Sequence, residues 1–233
     1  MRIAIISDIH ANLEALTTAL EDIKERDVEK IICLGDVVGY GANPNECIGL
    51  VQKHCETTLL GNHDKAAIDL SLTRTFTTNA RVAAEWTNRN LSADSKQFLQ
   101  SLPLFSKLPD IMFVHSSPYE PEEWHYVLSV LDALHALRSF DEGICFIGHT
   151  HTPAIYSDAG RVGRVRKGTK MLVNVGSIGQ PRDGNPRLSY GVFDTDAWEY
   201  ENIRVEYDIE KAAEKIMEAG LPRALADRLF LGV

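Results

Sequence analysis

The segment RIAIISDIHANLEAL (residues 2–16) begins with an apolar, β-branched run and continues directly into the polar residues Asp8 and His10. A short apolar run that ends at polar residues is typical of a buried strand, and the apolar residues that follow recur with the period of a helix. The segment therefore predicts a strand over 2–6, a helix over 11–26 and, between them, a loop that presents the two polar side chains.

Four further blocks repeat this change from an apolar run to polar residues. They read LGD (34–36), LGNHD (60–64), FVHSS (113–117) and GHTH (148–151). In open α/β sheets, ligands bind at the edge where the carboxyl ends of the strands lie. We therefore expect five strand ends in one sheet to bring these polar residues to one point.

Seven side chains in the five blocks are potential metal ligands. They are Asp8, His10, Asp36, Asn62, His115, His149 and His151. Carboxylate, imidazole and amide groups together suit borderline divalent ions. A D-x-H pair alone often arises by chance, and its side chains point to opposite sides of a straight strand, but five such blocks in one chain make an accident implausible.

The composition limits the class of function. The chain has 233 residues, 44% of them apolar, and a formal net charge of −9. This predicts a single domain over 1–233 and argues against binding of duplex nucleic acid, which requires a basic surface. The sequence shows no signal peptide and no apolar stretch of the length of a membrane span. The four cysteines lack CxxC spacing, so we expect buried, reduced thiols at Cys33 and Cys145 and a cytoplasmic location.

The remaining pattern indicates two sheets. A strand at 30–34, a helix at 44–54 and a strand at 57–60 continue the first unit as βαβ, which predicts a parallel sheet. Residues 64–101 have helical periodicity. From residue 103 onwards short strands are predicted, which we expect to form a second, more antiparallel sheet: 104–108, 111–115, 144–147, 153–157, 162–166, 171–175, 189–194 and 199–206.

Two helical additions accompany these strands. Residues 118–143 form a predicted insertion near His115, with a helix over 125–138. The tail at 208–233 is interrupted by Gly220 and Pro222 and predicts two amphipathic helices that cover a sheet face.

The order D-x-H, G-D, G-N-H-D, H, G-H-x-H, which runs from residue 1 to about 195, resembles the calcineurin-like metallophosphoesterase superfamily. The segment NVGSIGQPR (174–182) is similar to the compact prokaryotic branch of phosphodiesterases and diadenosine tetraphosphatase-like proteins. With the predicted elements, this leads us to expect an α/β fold, a four-layer α/β/β/α sandwich of two mixed sheets with the metal site at the carboxyl edges of the strands.

The resemblance implies a site for two divalent metal ions. It assigns Asp8, His10 and His151 to the first ion and Asn62, His115 and His149 to the second. Asp36 would lie between the ions, since a carboxylate has two oxygens and can bridge. We favour manganese, and iron, nickel, cobalt or zinc would also suit the ligands. Water activated between the ions would be the nucleophile.

His63 remains outside both ligand sets. The resemblance implies a catalytic role, either protonation of the leaving group or stabilisation of charge on the phosphoryl oxygens. The adjacent Asp64 could support its charge. The alternative is that His63 only forms hydrogen bonds within its loop.

The chain departs from one branch of the superfamily. Serine/threonine protein phosphatases have GDxxDRG, whereas this chain has GDVVGYG, with Gly39 and Tyr40 in place of the Asp and Arg. This argues against a protein phosphatase. Tyr40, Arg182 and His125 are candidates for substrate binding. The alternatives are a packing role for Tyr40 and a surface salt bridge for Arg182.

These observations predict a metal-dependent phosphoester hydrolase that acts on a small phosphodiester or nucleotide. The expected activity is that of a phosphodiesterase or a dinucleoside polyphosphate hydrolase. The alternatives are a phosphomonoesterase or nucleotidase and a non-catalytic scaffold of the same fold. The expected partner is a small phosphate ester or nucleotide, with no duplex nucleic acid and no membrane. The oligomeric state is open, and a dimer is possible.

Overall fold

A computed structural model describes all residues, 1–233, and its first unit is the predicted parallel sheet. Strands β1 (Arg2–Ile6), β2 (Lys30–Cys33) and β3 (Thr57–Thr58) are joined by helices α1 (Leu13–Lys24) and α2 (Pro44–His54). α1 begins after Asn12, whose side chain accepts a hydrogen bond from the Ala15 amide and so caps the helix. These elements confirm the prediction for this part of the chain.

The last two strands of the chain belong to this first sheet. Strands β10 (Leu188–Asp194) and β11 (Glu199–Val205) extend it in the order β11-β10-β1-β2-β3. β10 is antiparallel to β1, with Arg2 opposite Asp194 and Ile5 opposite Gly191. The expectation that residues 189–194 and 199–206 join the second sheet was therefore wrong. The buried β1 requires hydrogen-bond partners on both edges, and local periodicity does not reveal which strand supplies the second.

The second sheet is mixed, with a parallel centre. Its order is β4-β5-β6-β9-β7-β8, and β5, β6 and β9 are parallel neighbours. The strands are β4 (Phe105–Leu108), β5 (Ile111–Val114), β6 (Ile144–Ile147), β7 (Ala154–Ser157), β8 (Gly160–Val162) and β9 (Met171–Asn174). β4, β7 and β8 are antiparallel to their neighbours, so the expected antiparallel character holds only for the outer strands.

Helices lie between and beyond these strands. The predicted helical region contains α3 (Asn62–Ile68), a 3₁₀ turn (Leu70–Thr75), α4 (Thr78–Asn90) and α5 (Ala93–Ser101). In the predicted insertion, α6 (Val130–Ala136) begins five residues later than expected. Residues 118–129 are irregular apart from a 3₁₀ turn at Pro121–Glu123, since Glu120 and Trp124 adopt left-handed backbone angles that end helical structure.

The tail forms the two predicted helices. α7 (Ile209–Glu218) and α8 (Arg223–Leu231) pack against each other, and their apolar residues form one buried cluster with α4 and Tyr40. They therefore cover helix α4 and the loop at Tyr40 rather than only a sheet face. None of the eight α-helices combines the length and hydrophobicity that a membrane crossing requires. Cys33 and Cys145 are fully buried free thiols, as expected.

The two sheets pack face to face and are flanked by helices, which confirms the expected layered α/β fold. The interface between the sheets is a cluster of 14 buried apolar residues. At its centre the Phe146 ring lies 5.7 Å from Phe113 in the same sheet and 5.2 Å from Phe193 in the other sheet. The packing holds the carboxyl edges of both sheets side by side.

Truncation of Phe146 tests this interface. Phe146→Ala should lower the free energy of unfolding by about 3–5 kcal/mol, because it leaves a cavity between two packed sheets. Urea unfolding with excess chelator measures the change without a contribution from bound metal. Leu131→Ala, at a side chain that is 78% exposed, should change it by less than about 0.5 kcal/mol. Equal effects of the two substitutions would contradict this description of the core.

Candidate metal centre

The five polar blocks lie together, but at the edges of two sheets. Those of Asp8, Asp36 and Asn62 follow β1, β2 and β3 of the first sheet, while those of His115 and His149 follow β5 and β6 of the second. The expectation that one sheet carries all five was wrong. The blocks converge because the packed sheets have their carboxyl edges on the same side of the molecule.

Left-handed backbone angles turn the side chains toward this point. Five of the seven candidate ligands have φ between 51° and 65°: Asp8, His10, Asp36, His149 and His151. Such angles are uncommon outside glycine and concentrate at functional sites. They explain how the D-x-H pair, which would diverge on a straight strand, points its two side chains in one direction.

The imidazoles are oriented by backbone carbonyl groups. Three histidines direct Nδ1 at a carbonyl oxygen: His10 at Val38 (3.1 Å), His115 at Leu34 (3.2 Å) and His151 at Gln180 (2.5 Å). His149 instead directs Nε2 at the carbonyl of Trp124 (3.0 Å). A carbonyl oxygen only accepts hydrogen bonds, so each of these nitrogens carries a proton. The other ring nitrogen is then directed into the site, which is the arrangement typical of metal-binding histidines.

The carboxylates divide their oxygens in the same way. Asp8 Oδ2 accepts a hydrogen bond from the His149 amide (2.9 Å), while its Oδ1 is buried without a partner. Asp36 Oδ1 accepts from the His63 amide (2.8 Å), and its Oδ2 lies 3.3 Å from His115 Nε2 and 3.7 Å from His10 Nε2. Oδ2 of Asp36 therefore lies within 4 Å of one histidine from each group.

The ligand atoms form two triads. One consists of Asp8, His10 and His151 and the other of Asp36, His115 and His149; within each, the ligand atoms lie within 4.8 Å of one another. All six residues are buried. Asn62, which completes the predicted set, has a buried Oδ1 with no hydrogen-bond partner.

The Nε2 atoms of His10 and His151 are only 3.0 Å apart. Because both rings are protonated on Nδ1, this contact places two lone pairs face to face in a buried site, an unfavourable arrangement unless a cation lies between or beside them. Together with the unpartnered oxygens of Asp8 and Asn62, this shows that the residues present fit a pair of divalent cations.

The electrostatics of the triads agree with this requirement. Burial lowers the pKa of His10 well below its usual value, and burial followed by the charge of Arg182 lowers the pKa of His151. Burial acts in the same direction on His115, but the carboxylates of Asp36 and Asp8 outweigh it and raise its pKa to about 9. In the metal-free protein a proton on His115 therefore supplies part of the positive charge that the carboxylates require.

His63 lies beside the triads without joining them. Its ring is 5.0 Å from His10 and 4.5 Å from Tyr40, and its Nδ1 is buried with no hydrogen-bond partner. The adjacent Asp64 does not support its charge, because the two oxygens of Asp64 accept hydrogen bonds from the Val38 and Gly61 amides. Burial lowers the pKa of His63 to about 4, so the ring is neutral in the metal-free protein.

The residues that replace the protein-phosphatase Asp and Arg also lie here. Gly39 packs against the His63 ring so closely that a Cβ atom would lie 2.8 Å from Nδ1. Tyr40 is buried, with its ring 4.7 Å from His10. Arg182 places its Cζ 5.7 Å from the centre of the Tyr40 ring and is not in a salt bridge. The structure thus brings Tyr40 and Arg182 together next to the first triad.

An open cleft of about 740 Å³ adjoins the second triad, with Asn62 and His149 in its wall. His125 lines this cleft and is 46% exposed. Two neighbours that sequence patterns did not single out are Trp124, whose carbonyl orients His149, and Tyr126, whose ring stacks on His149 at 4.0 Å. Their only signal was aromatic character next to His125, a candidate for substrate binding.

The amino-acid sequence and the fold match known proteins. Residues 1–197 match the family model of the calcineurin-like phosphoesterase superfamily domain. An uncharacterized protein of Methanocaldococcus jannaschii is 42% identical over 240 aligned positions, which cover 99% of this chain and 98% of that protein.

Two solved structures have similar folds along the whole chain. A metallophosphoesterase from Sphaerobacter thermophilus is 39% identical with a TM-score of 0.89, and the match covers 100% of this chain and 99% of that one. A hypothetical protein from Pyrococcus horikoshii is 21% identical with a TM-score of 0.85, over 100% and 98% of the two chains, and shares the fold.

Substitution of Asp36 tests the link between the triads. In Asp36→Asn, the side-chain oxygen can still accept a hydrogen bond from the backbone amide of His63. The side-chain NH₂ group is then directed at the triads, where it repels cations. Both ions should therefore bind more weakly, by more than about tenfold. Metal analysis after dialysis and titration calorimetry measure this, with the exposed Asp158→Asn as the matched control. Loss of one ion with the other unchanged would contradict a shared position.

Proposed function

This chain belongs to the calcineurin-like phosphoesterase superfamily and is a metal-dependent phosphoesterase, and we propose that it hydrolyses a small phosphodiester or nucleotide at the paired triads. The observation that carries the proposal is the cleft beside Asn62 and His149, which is lined by the aromatic residues Phe76, Trp124 and Tyr126. Aromatic side chains next to metal ligands suit the base or aryl group of a small organic phosphate.

In this proposal the seven candidate ligands hold two divalent ions. Asp8, His10 and His151 bind one, His115, His149 and Asn62 bind the other, and one oxygen of Asp36 lies between the two groups. Such ions supply Lewis-acid catalysis, because they polarise the phosphoryl group and lower the pKa of the attacking water. Manganese is the metal we favour, and iron, nickel, cobalt and zinc also suit these ligands.

His63 assists as a hydrogen-bond donor to the phosphoryl oxygens. Of the two roles expected from the sequence, proton donation to the leaving group requires a charged ring, and no carboxylate accepts a hydrogen bond from the His63 ring. Asp64, the expected partner, is occupied by two backbone amides. A neutral N–H group aimed at developing charge is effective in a buried site and requires no change of protonation.

Three further residues contact the substrate in this proposal. Arg182, beside Tyr40, binds a phosphate oxygen, since a guanidinium group suits bidentate contact with phosphate. Tyr40 forms the wall between Arg182 and His10. His125, in the cleft next to the second triad, contacts the organic part of the substrate.

The proposed activity predicts metal-dependent hydrolysis of a simple diester. Metal-stripped protein reconstituted separately with manganese, iron, nickel, cobalt and zinc should release nitrophenol from bis(p-nitrophenyl) phosphate with at least one metal. The rate should exceed that with p-nitrophenyl phosphate, the corresponding monoester. Activity on the monoester alone would indicate a phosphomonoesterase, and inactivity on both with every metal would overturn the proposal.

The role of His63 makes a separate prediction. His63→Ala should lower kcat by about 10²–10³-fold, the effect typical of losing one preorganised donor to a developing charge. Metal content should stay at the wild-type level, because His63 belongs to neither triad. His54→Ala, in helix α2, is the matched control. If metal content collapses in His63→Ala, His63 is a ligand and the assigned role is wrong.

A further inference from the structure

Two guanidinium groups, those of Arg182 and Arg228, lie near Tyr40 at the border of the metal centre. Arg182 Cζ is 5.7 Å from the centre of the Tyr40 ring. Arg228 comes from helix α8, whose Leu225 and Leu229 belong to the same buried cluster as Tyr40. It lies in the C-terminal hairpin, beyond the residues 1–197 that match the family domain.

A backbone contact joins the end of α8 to the loop that carries Arg182. The Gly184 amide donates a hydrogen bond to the carbonyl of Gly232 (2.9 Å), one turn beyond Arg228. The two arginines are also within electrostatic reach, since burial, followed by the charge of Arg182, lowers the pKa of Arg228. Two positive charges are therefore held close together by the fold.

Neither guanidinium is paired with the side chain of an Asp or Glu residue. Arg182 donates from Nη2 to Gln180 Oε1 (2.8 Å), and its Nε is buried without a hydrogen-bond partner. Arg228 donates from Nε to a backbone oxygen of Val233 (2.6 Å), the last residue of the sequence. The remaining donors of both groups form no hydrogen bond within the protein.

This lack of partners contrasts with other arginines of similar burial. Arg26 is paired with Asp22 at 2.6 Å, and Arg204 is paired with Asp183. Asp183 is the carboxylate nearest in sequence to Arg182, and it is therefore already in a salt bridge. The chain has 33 acidic and 24 basic residues, so carboxylates are not scarce. Partly buried like charges without a side-chain carboxylate beside them are unfavourable, and an anionic ligand would stabilise them.

We propose that Arg182 and Arg228 bind a second phosphate group of the substrate, next to the phosphate held at the triads, so that the preferred substrates are nucleotides with two or more linked phosphates. The inference rests on the proposed function. The Tyr40 ring is 4.7 Å from His10 of the first triad and 5.7 Å from Arg182 Cζ, so a phosphate at the arginines would lie beside the phosphate at the triads. Bidentate contact from two guanidinium groups suits such an anion.

The reaction shows why this position matters. Hydrolysis forms a bond from the water oxygen to phosphorus and breaks a P–O bond of the anhydride. The departing phosphate oxygen keeps the electron pair and becomes more negative, while the water proton passes to solvent. Arginines that hold the departing phosphate stabilise this charge, so their effect should be larger on a polyphosphate than on a substrate with a single phosphate.

The ratio of kcat/KM for two substrates tests the proposal. These are diadenosine tetraphosphate, with linked phosphates, and bis(p-nitrophenyl) phosphate, with one. In Arg228→Gln the ratio of the first to the second should fall about 10- to 100-fold, the effect of losing charge-assisted hydrogen bonds. Arg228→Lys keeps the charge but not the bidentate geometry and should give a smaller fall. Arg223→Gln, at an exposed arginine on the same helix, should leave the ratio unchanged.

The outcomes separate the two proposals. A ratio in Arg228→Gln equal to that of the wild type overturns the inference, as does a wild-type enzyme that hydrolyses the simple diester but not the polyphosphate; the proposed function stands in both cases. If the wild type hydrolyses neither substrate with any metal, the proposed function fails. Thermal unfolding midpoints of all variants identify any loss of folding. A ratio that falls most in Arg228→Gln, less in Arg228→Lys and not in Arg223→Gln supports the inference even if the Gln variant is less stable.

Discussion

The site depends on one constraint: buried imidazole and carboxylate lone pairs are forced toward each other. The Nε2 atoms of His10 and His151 are 3.0 Å apart, and each ring has committed its other nitrogen to a backbone carbonyl. Neither ring can rotate away without leaving a carbonyl unpaired in the interior, which is itself costly. The protein therefore maintains an arrangement that only positive charge stabilises. The rest of the fold contributes the free energy that offsets the cost of this arrangement.

That support comes from close contacts between the ligand loops. The ligand loops adopt left-handed backbone angles at Asp8, Asp36 and His149, and conformations of this kind persist only where surrounding structure holds them. Backbone hydrogen bonds from the Asp8 and His10 amides to the loop at Asp36 supply part of this hold. Close packing supplies more, because a Cβ atom at Gly61 would overlap Asp36. Rigid loops of this kind preorganise the ligands and so favour catalysis by bound ions.

Residue patterns predicted the parts of this protein in which local chemistry determines structure. The apolar runs before each ligand block identified their strands, and the helical period after residue 11 identified α1. Sequence patterns gave wrong predictions where the structure depends on a contact with a residue that is distant in sequence. Residues 188–194 have the periodicity of any buried strand, and only the free edge of β1 assigns them to the first sheet. Likewise, Asp64 adjoins His63 in sequence, but its carboxylate accepts hydrogen bonds from backbone amides on the opposite side.

The sequence by itself determined the chemistry of the centre, since seven potential ligands in five blocks belong to a set of residue types that suits divalent ions. It also determined the family, through the order of those blocks. Only the tertiary structure decided that two sheets supply the blocks, that one oxygen of Asp36 faces both triads, and that helix α8 places Arg228 near Arg182. These features depend on backbone carbonyl and amide groups, which every residue type has, and on packing between segments that are distant in sequence. Neither can be read from local sequence patterns.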